Sequence, residues 1–176
     1  TDQARVASYL ARLSTLTGLP IRLSDTSPNF HIYFVNEDER AGIVPTIAAK
    51  SHDFSNANAA DLINLPQSTY CLVYTQSQGY SDIYTQAFAV IRAETPDLLR
   101  LSCIHEEIAQ ALGLANDSPQ ARPSIFNDNQ EYALLTRQDE AMLRLLYNPA
   151  LRPGLTEEEA RPLIISLAST LLGGES

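Results

Sequence analysis

From Pro96 to Gly113 the chain places Leu98, Leu101, Ile104, Ile108 and Leu112 at helical spacing, which predicts a helix with one buried side. Pro96 suits the first turn, Asp97 suits the positive end of the helix dipole, and Gly113 is placed to stop the helix. An apolar run from Ile83 to Ile91, ending in Ala87-Phe88-Ala89-Val90-Ile91, precedes it and reads as a strand. A length of 176 residues suits one domain, residues 1–176, with a sizeable core.

Elsewhere the pattern is mixed. Val6, Ala7, Leu10, Leu13 and Leu16 predict a helix from Asp2 to Leu16, ended by Gly18 and Pro20. Strands are expected at Ile21 to Ser24, Phe30 to Val35 and Thr69 to Thr75. In the second, Phe30, Ile32 and Phe34 face the core and His31 and Tyr33 the other side. Gly79-Tyr80-Ser81-Asp82 fits a hairpin connection to Ile83 to Ile91. Short helices are expected around Arg40 to Ala49 and Ala59 to Leu65. Longer ones follow from Thr136 to Tyr147, and from Thr156, where Glu159 completes a capping box. Pro162 falls early in that last helix and should disturb its first turn.

The helix also carries a motif in altered form: Cys103-Ile-His-Glu-Glu-Ile-Ala-Gln-Ala-Leu-Gly113, then Leu114-Ala-Asn-Asp117. Zinc proteases of the zincin class place two His at i and i+4 on one helix, with a Glu after the first acting as base. Metzincins extend this to H-E-x-x-H-x-x-G-x-x-H. Taken literally, His105-Glu106 supplies the H-E pair, but the second His, the Gly and the third His become Ala109, Leu112 and Ala115. Shifted by one residue, Glu107 is the base and Gly113 the turn. Glu106, Gln110 and Asn116 then stand where the three His would be. The shifted register keeps the acid and the backbone logic. His105 falls about 100° round the helix axis from Glu106 and should point elsewhere.

Downstream, Ser124-Ile125-Phe126, then Leu135-Thr136-Arg137-Gln138-Asp139 and Leu146-Tyr147 match the metzincin order of an S-I-M turn and a helix framed by L-T-x-x-D and L-Y. Phe126 replaces the methionine. The chain thus resembles a metzincin over about Ala87 to Tyr147. The resemblance implies an α+β, zincin/metzincin-like fold, with a mixed twisted sheet packed on an active-site-type helix and further C-terminal helices. A narrower resemblance covers Cys103 to Pro149. E-x-x-Q-x-L-G-L-x-N-D, S-I-F-N-D, L-T-x-x-D and L-Y-x-P are similar to the proteobacterial domain-of-unknown-function family 2927, whose members are often described as lipoproteins. That implies a periplasmic or outer-envelope location and a lipid anchor upstream of Thr1, and it brings no established activity. The opening at Thr1 rather than Met suggests a trimmed or processed chain.

In this frame Glu107 is the catalytic candidate, and Glu106, Gln110, Asn116, Asp117, Phe126, Asn127 and Asp128 are candidates for lining the cleft. Each has a plainer reading. Glu106 and Glu107 would serve as a solvated helix face. Asn116 and Asp117, like Asn127 and Asp128, would serve as turn formers, and Phe126 as a hydrophobic floor. His31 and His52 are isolated, which favours surface or structural roles. The oxygens of Glu106, Gln110, Asn116 and Asp117 suit a hard cation such as calcium better than zinc, and the expectation is no resident metal or cofactor.

Cys71 and Cys103 can bridge a loop of about thirty residues, or remain two buried thiols; a bridge would mean an extracytoplasmic compartment. A formal net charge of −9 argues against nucleic acid or anionic lipid as partner. No apolar run approaches the roughly 18 residues of a membrane span. Three functions follow. The first is a non-catalytic envelope protein binding a peptide, protein or envelope polymer in the altered cleft, with Ile83 to Ile91 as the receiving edge. The second is a structural envelope component. The third is a hydrolase using Glu107 as general base without zinc.

Overall fold

The computed structural model describes residues 1–79, 81, 83–127 and 131–173. Helix α1 (Asp2–Thr17) is capped by Thr1, whose Oγ1 accepts from Ala4 N, and it ends at Gly18 with φ of 74°. Strand β1 (Phe30–Val35) leads to helices α2 (Glu37–Lys50) and α3 (Asn56–Ile63). Strands β2 (Cys71–Ser77) and β3 (Tyr84–Arg92) precede α4 (Asp97–Ala111), followed by α5 (Arg137–Leu146) and α6 (Glu157–Gly173). The class is α+β: one small mixed sheet and six helices among the described residues. None of those helices is long and apolar enough to cross a membrane.

The sheet order is β1-β3-β2. β1 runs parallel to β3, pairing Phe30 with Ala87 through to Val35 with Arg92. β2 runs antiparallel to β3, pairing Cys71 with Ile91. β3 is therefore central, and this corrects the expectation that Ile83 to Ile91 is a receiving edge: both sides of that strand are taken. The edge beside α4 is β2.

Helices cover both faces of the sheet. On one, Leu10 and Leu13 of α1, Ile104 and Ile108 of α4 and Leu143 of α5 bury against Ile91. On the other, Ile47 of α2 and Leu62 of α3 bury against Val35, Phe88 and Val90. Burial on two faces is why Ala87 to Ile91 reads as an unbroken apolar run rather than an alternating one. The second face of β1, carrying His31 and Tyr33, is half-buried as well. Tyr33 packs against the second cluster, and His31 stacks on Phe88 with ring centroids 5.1 Å apart.

The strand expected at Ile21 to Ser24 does not form. Only Ile21 packs against the core there, Leu23 is 51% exposed, and the sheet ends at β1 with no further described partner. The hairpin connection falls partly outside the described residues, at Tyr80 and Asp82; Gly79 takes φ of 65°. Pro162 is accommodated inside α6, whose Thr156–Glu159 capping box forms as expected.

Two devices hold the chain beyond α4. Gly113 takes φ of 115°, and a Cβ there would meet Leu146 Cδ2 at 3.1 Å, so both backbone and space select glycine. Tyr147 closes the same junction by donating its hydroxyl to Leu112 O at 2.7 Å. Farther on, Asp139 is fully buried at the start of α5 and accepts from Ile125 N at 3.0 Å and Thr136 N at 2.8 Å, as well as from the hydroxyls of Ser124 and Thr136. The L-T-x-x-D and S-I-F segments, far apart in the motif, are thus one clamp. Phe126, 3% exposed, packs in the cluster that includes Ile104 and Ile108, a floor beneath α4.

Candidate functional site

A groove of about 410 Å³ lies between the start of β2 and the adjoining side of α4. Helical spacing brings Leu99, Cys103, Glu106 and Gln110 to one stripe of α4, with Glu107 one turn beyond Cys103. The facing wall is Tyr70 to Val73, and Asp117 comes in from the loop after Gly113. Cys71 and Cys103 are joined by a disulfide that ties the edge strand to the helix. Of the two readings of these cysteines, the bridge is the one found.

The backbone of β2 is directional. Arg92 N donates to Tyr70 O at 2.9 Å, so Tyr70, Leu72 and Tyr74 face β3. The N–H and C=O groups of Cys71, Val73 and Thr75 therefore point to the other side, where no described strand pairs. Arg92, which sequence reasoning missed, sets the approach to this edge. Its buried guanidinium donates to Thr69 O at 2.8 Å, Leu65 O at 3.2 Å and Pro66 O at 3.0 Å, and pairs with Glu37. An arginine ending a buried strand is the signal that could have marked it, since a buried guanidinium needs a full set of acceptors.

Glu107 is 4% exposed, and its Oε2 is buried without a hydrogen-bond partner. Burial raises its carboxyl well above the usual carboxylate range, and the nearby charges of Glu106 and Asp117 push the same way. Gln110 Nε2 donates to Asp117 Oδ1 at 3.1 Å, which closes the groove at that end. None of the described residues lining the groove is basic.

Glu106, Glu107, Gln110 and Asp117 thus line one groove, whereas the shifted register places Asn116 rather than Asp117 at the third imidazole position. Four other candidates are not part of the described groove lining. Asn116 is exposed and does not line it. Phe126 lies in the core. Asn127 is 3% exposed and holds the preceding loop, donating from Nδ2 to Pro119 O at 3.2 Å and Ala121 O at 2.9 Å. Asp128 lies outside the described residues.

His105 faces the opposite way. It stacks on Tyr9 with centroids 3.9 Å apart, and its Nδ1 accepts from Leu135 N at 3.4 Å. Burial, assisted by the Arg12 charge, lowers its pKa to about 4, so the ring is neutral at ordinary pH. With that imidazole turned away and both cysteines in the disulfide, the groove's described ionisable donors are carboxyls and the Tyr70 phenol. Among the described residues no group of three or more His, Cys, Asp or Glu could hold a metal ion. The donor set does not fit the zinc that a zincin would use.

No curated protein matches the chain, and no solved structure does. A family model described as a protein of unknown function, DUF2927, matches residues 1–166, which take in the sheet, the groove and most of α6. The chain belongs to the DUF2927 family.

Proposed function

We propose that this chain is a non-catalytic, metzincin-like protein of the cell envelope whose groove holds an extended polypeptide added as a strand along β2. One observation carries the reading: the outward backbone groups of Cys71 and Val73 border a groove whose other wall is α4. An edge of this kind supplies affinity through main-chain hydrogen bonds, while neighbouring side chains supply choice among sequences. The selective replacement of imidazoles by Glu106, Gln110 and Asn116, with Gly113 kept, supports descent of the cleft without its metal. The disulfide supports an oxidising compartment.

Amide chemical shifts during titration with a library of short extended peptides test this. Changes should concentrate at Cys71, Val73, Thr75 and Gln110. Peptides that move none of these amides would remove the proposal.

One observation favours a second reading, a hydrolase. Glu107 is a buried carboxyl beside a groove whose pKa burial raises above the ordinary carboxylate range, the direction a general acid needs. Base activation of water by the same carboxyl would find no basic side chain among the described groove lining to stabilise the developing charge. A hydrolytic activity abolished by Glu107→Gln would promote this reading over the first.

A further inference from the structure

We infer that the groove selects polypeptide bearing an arginine or lysine side chain, whose cationic end lies among Glu106, Glu107 and Asp117. This deepens the strand-addition reading and rests on it.

Three features of the groove converge on such a ligand. The first is charge: three carboxyl groups line it and no described lining residue is basic. The second is the oxygen that the protein itself does not satisfy. Glu107 lines the groove and its Oε2 is buried and unpartnered, and an incoming N–H donor relieves the cost of leaving such an acceptor without a bond. The third is the apolar approach. Leu99 and the Cys71–Cys103 bridge line the same groove, which suits the methylene stem of a long basic side chain lying on apolar surface with its charged head beyond.

The distribution of the oxygens chooses between cations. No described cluster converges as an ion's coordination sphere requires. A guanidinium offers five donors over a planar fork, so it engages oxygens that are spread along a wall rather than focused on a point. Arginine is therefore the favoured residue and lysine the weaker one. A bare divalent ion has no such match.

The test uses the whole chain and blocked pentapeptides of alternating valine and threonine, with arginine, citrulline or glutamate at the centre. Citrulline keeps the length and shape of arginine and removes its charge. Binding is followed by amide shifts at Cys71, Val73 and Thr75 for strand addition, and at Glu106, Gln110 and Asp117 for the charged site. The arginine peptide should bind about tenfold tighter than the citrulline peptide, equivalent to 1.4 kcal/mol. Glutamate should bind weakest. Glu106→Gln and Asp117→Asn, both isosteric, should each shrink the arginine preference while leaving citrulline binding in place.

Equal binding of all three peptides along β2 would overturn the charge selection and leave strand addition standing. Failure of every peptide to bind would overturn both. Calcium chloride alone is a separate arm: micromolar calcium shifting Glu106, Gln110 and Asp117, with no arginine preference, would replace the proposal with a metal site.

Discussion

Reducing the Cys71–Cys103 disulfide removes the only covalent tie between the edge strand and α4, and its cost follows from the chain it closes. The two cysteines are 32 residues apart in sequence. Loop-closure entropy for a loop of that length is about 12 cal/mol/K, or about 3.7 kcal/mol at 25 °C. For a chain of this size each kcal/mol moves the melting midpoint by about 2–4 °C, so reduction should lower it by roughly 7–15 °C. Urea unfolding of oxidised protein and of protein held in a phosphine reductant, followed by circular dichroism, gives both the free energy and its denaturant slope. The slope should rise on reduction, because the freed denatured chain expands and exposes more surface. Cys71→Ala/Cys103→Ala should lose slightly more than reduction does, since Cys103 is 1% exposed and truncating it also removes core contacts. A loss under about 1 kcal/mol with an unchanged slope would refute the loop-closure argument.

Two further perturbations probe the buried acids. Asp139→Ala leaves the buried N–H of Ile125 and the half-buried N–H of Thr136 without their acceptor, at about 1–3 kcal/mol for the first and less for the second, so a loss of about 1–4 kcal/mol is expected in urea unfolding. Asp139→Asn keeps one oxygen for those donors and should lose less than half as much; equal losses would show that the clamp is not what Asp139 contributes. Glu107→Gln tests the other acid through pH. A carboxyl whose folded pKa is raised binds its proton more tightly in the folded state, so stability falls as pH rises from its ordinary pKa near 4.5 toward the raised folded value. The glutamine variant lacks that slope. Its advantage over the parent should therefore grow as pH rises above the ordinary pKa, by up to about 1.4 kcal/mol per pH unit until the raised folded pKa is passed. Parallel stability curves for the two proteins would contradict a raised Glu107.

Much of the helical layout was legible, and its errors are local. Asn36 and Glu39 form a capping box, as do Ser55 and Asn58, and these set the starts of α2 and α3 three residues ahead of the apolar pattern that predicted them. The boxes stand in the sequence, so these boundaries could have been read. Sheet order was harder. Periodicity reports how many faces of a strand are buried and says nothing about which neighbour lies where. The continuous apolar run of β3 was nonetheless a hint of a central strand, because a strand covered on both faces by helices seldom lies at an exposed border. The cleft was legible only as far as the helix runs. Glu106, Glu107 and Gln110 follow from 3.6 residues per turn. Beyond Gly113 the backbone leaves that period at φ of 115°, and the residue delivered to the groove is Asp117 rather than the Asn116 that motif counting selects.

His105 and Glu107 make the strongest argument for where function resides. They sit two residues apart on α4, both are buried, and both are titratable. Two residues of helix is about 200° of rotation, so they lie on nearly opposite sides. His105, the residue that a literal H-E reading would choose, has what a structural residue needs: Tyr9 against its ring, Leu135 N on its Nδ1, and a lowered pKa that keeps it uncharged. Stability explains it completely. Glu107 has the opposite balance. It pays for burial with a raised pKa, stands beside two other acids, and leaves an oxygen unpartnered at a groove wall. An apolar residue of similar size would hold α4 on the sheet without those costs. Sites where local stability is given up without an internal return are where a partner's contribution is to be sought. On α4 that reasoning selects the side facing β2, and it selects a donor-bearing, positively charged partner rather than a metal.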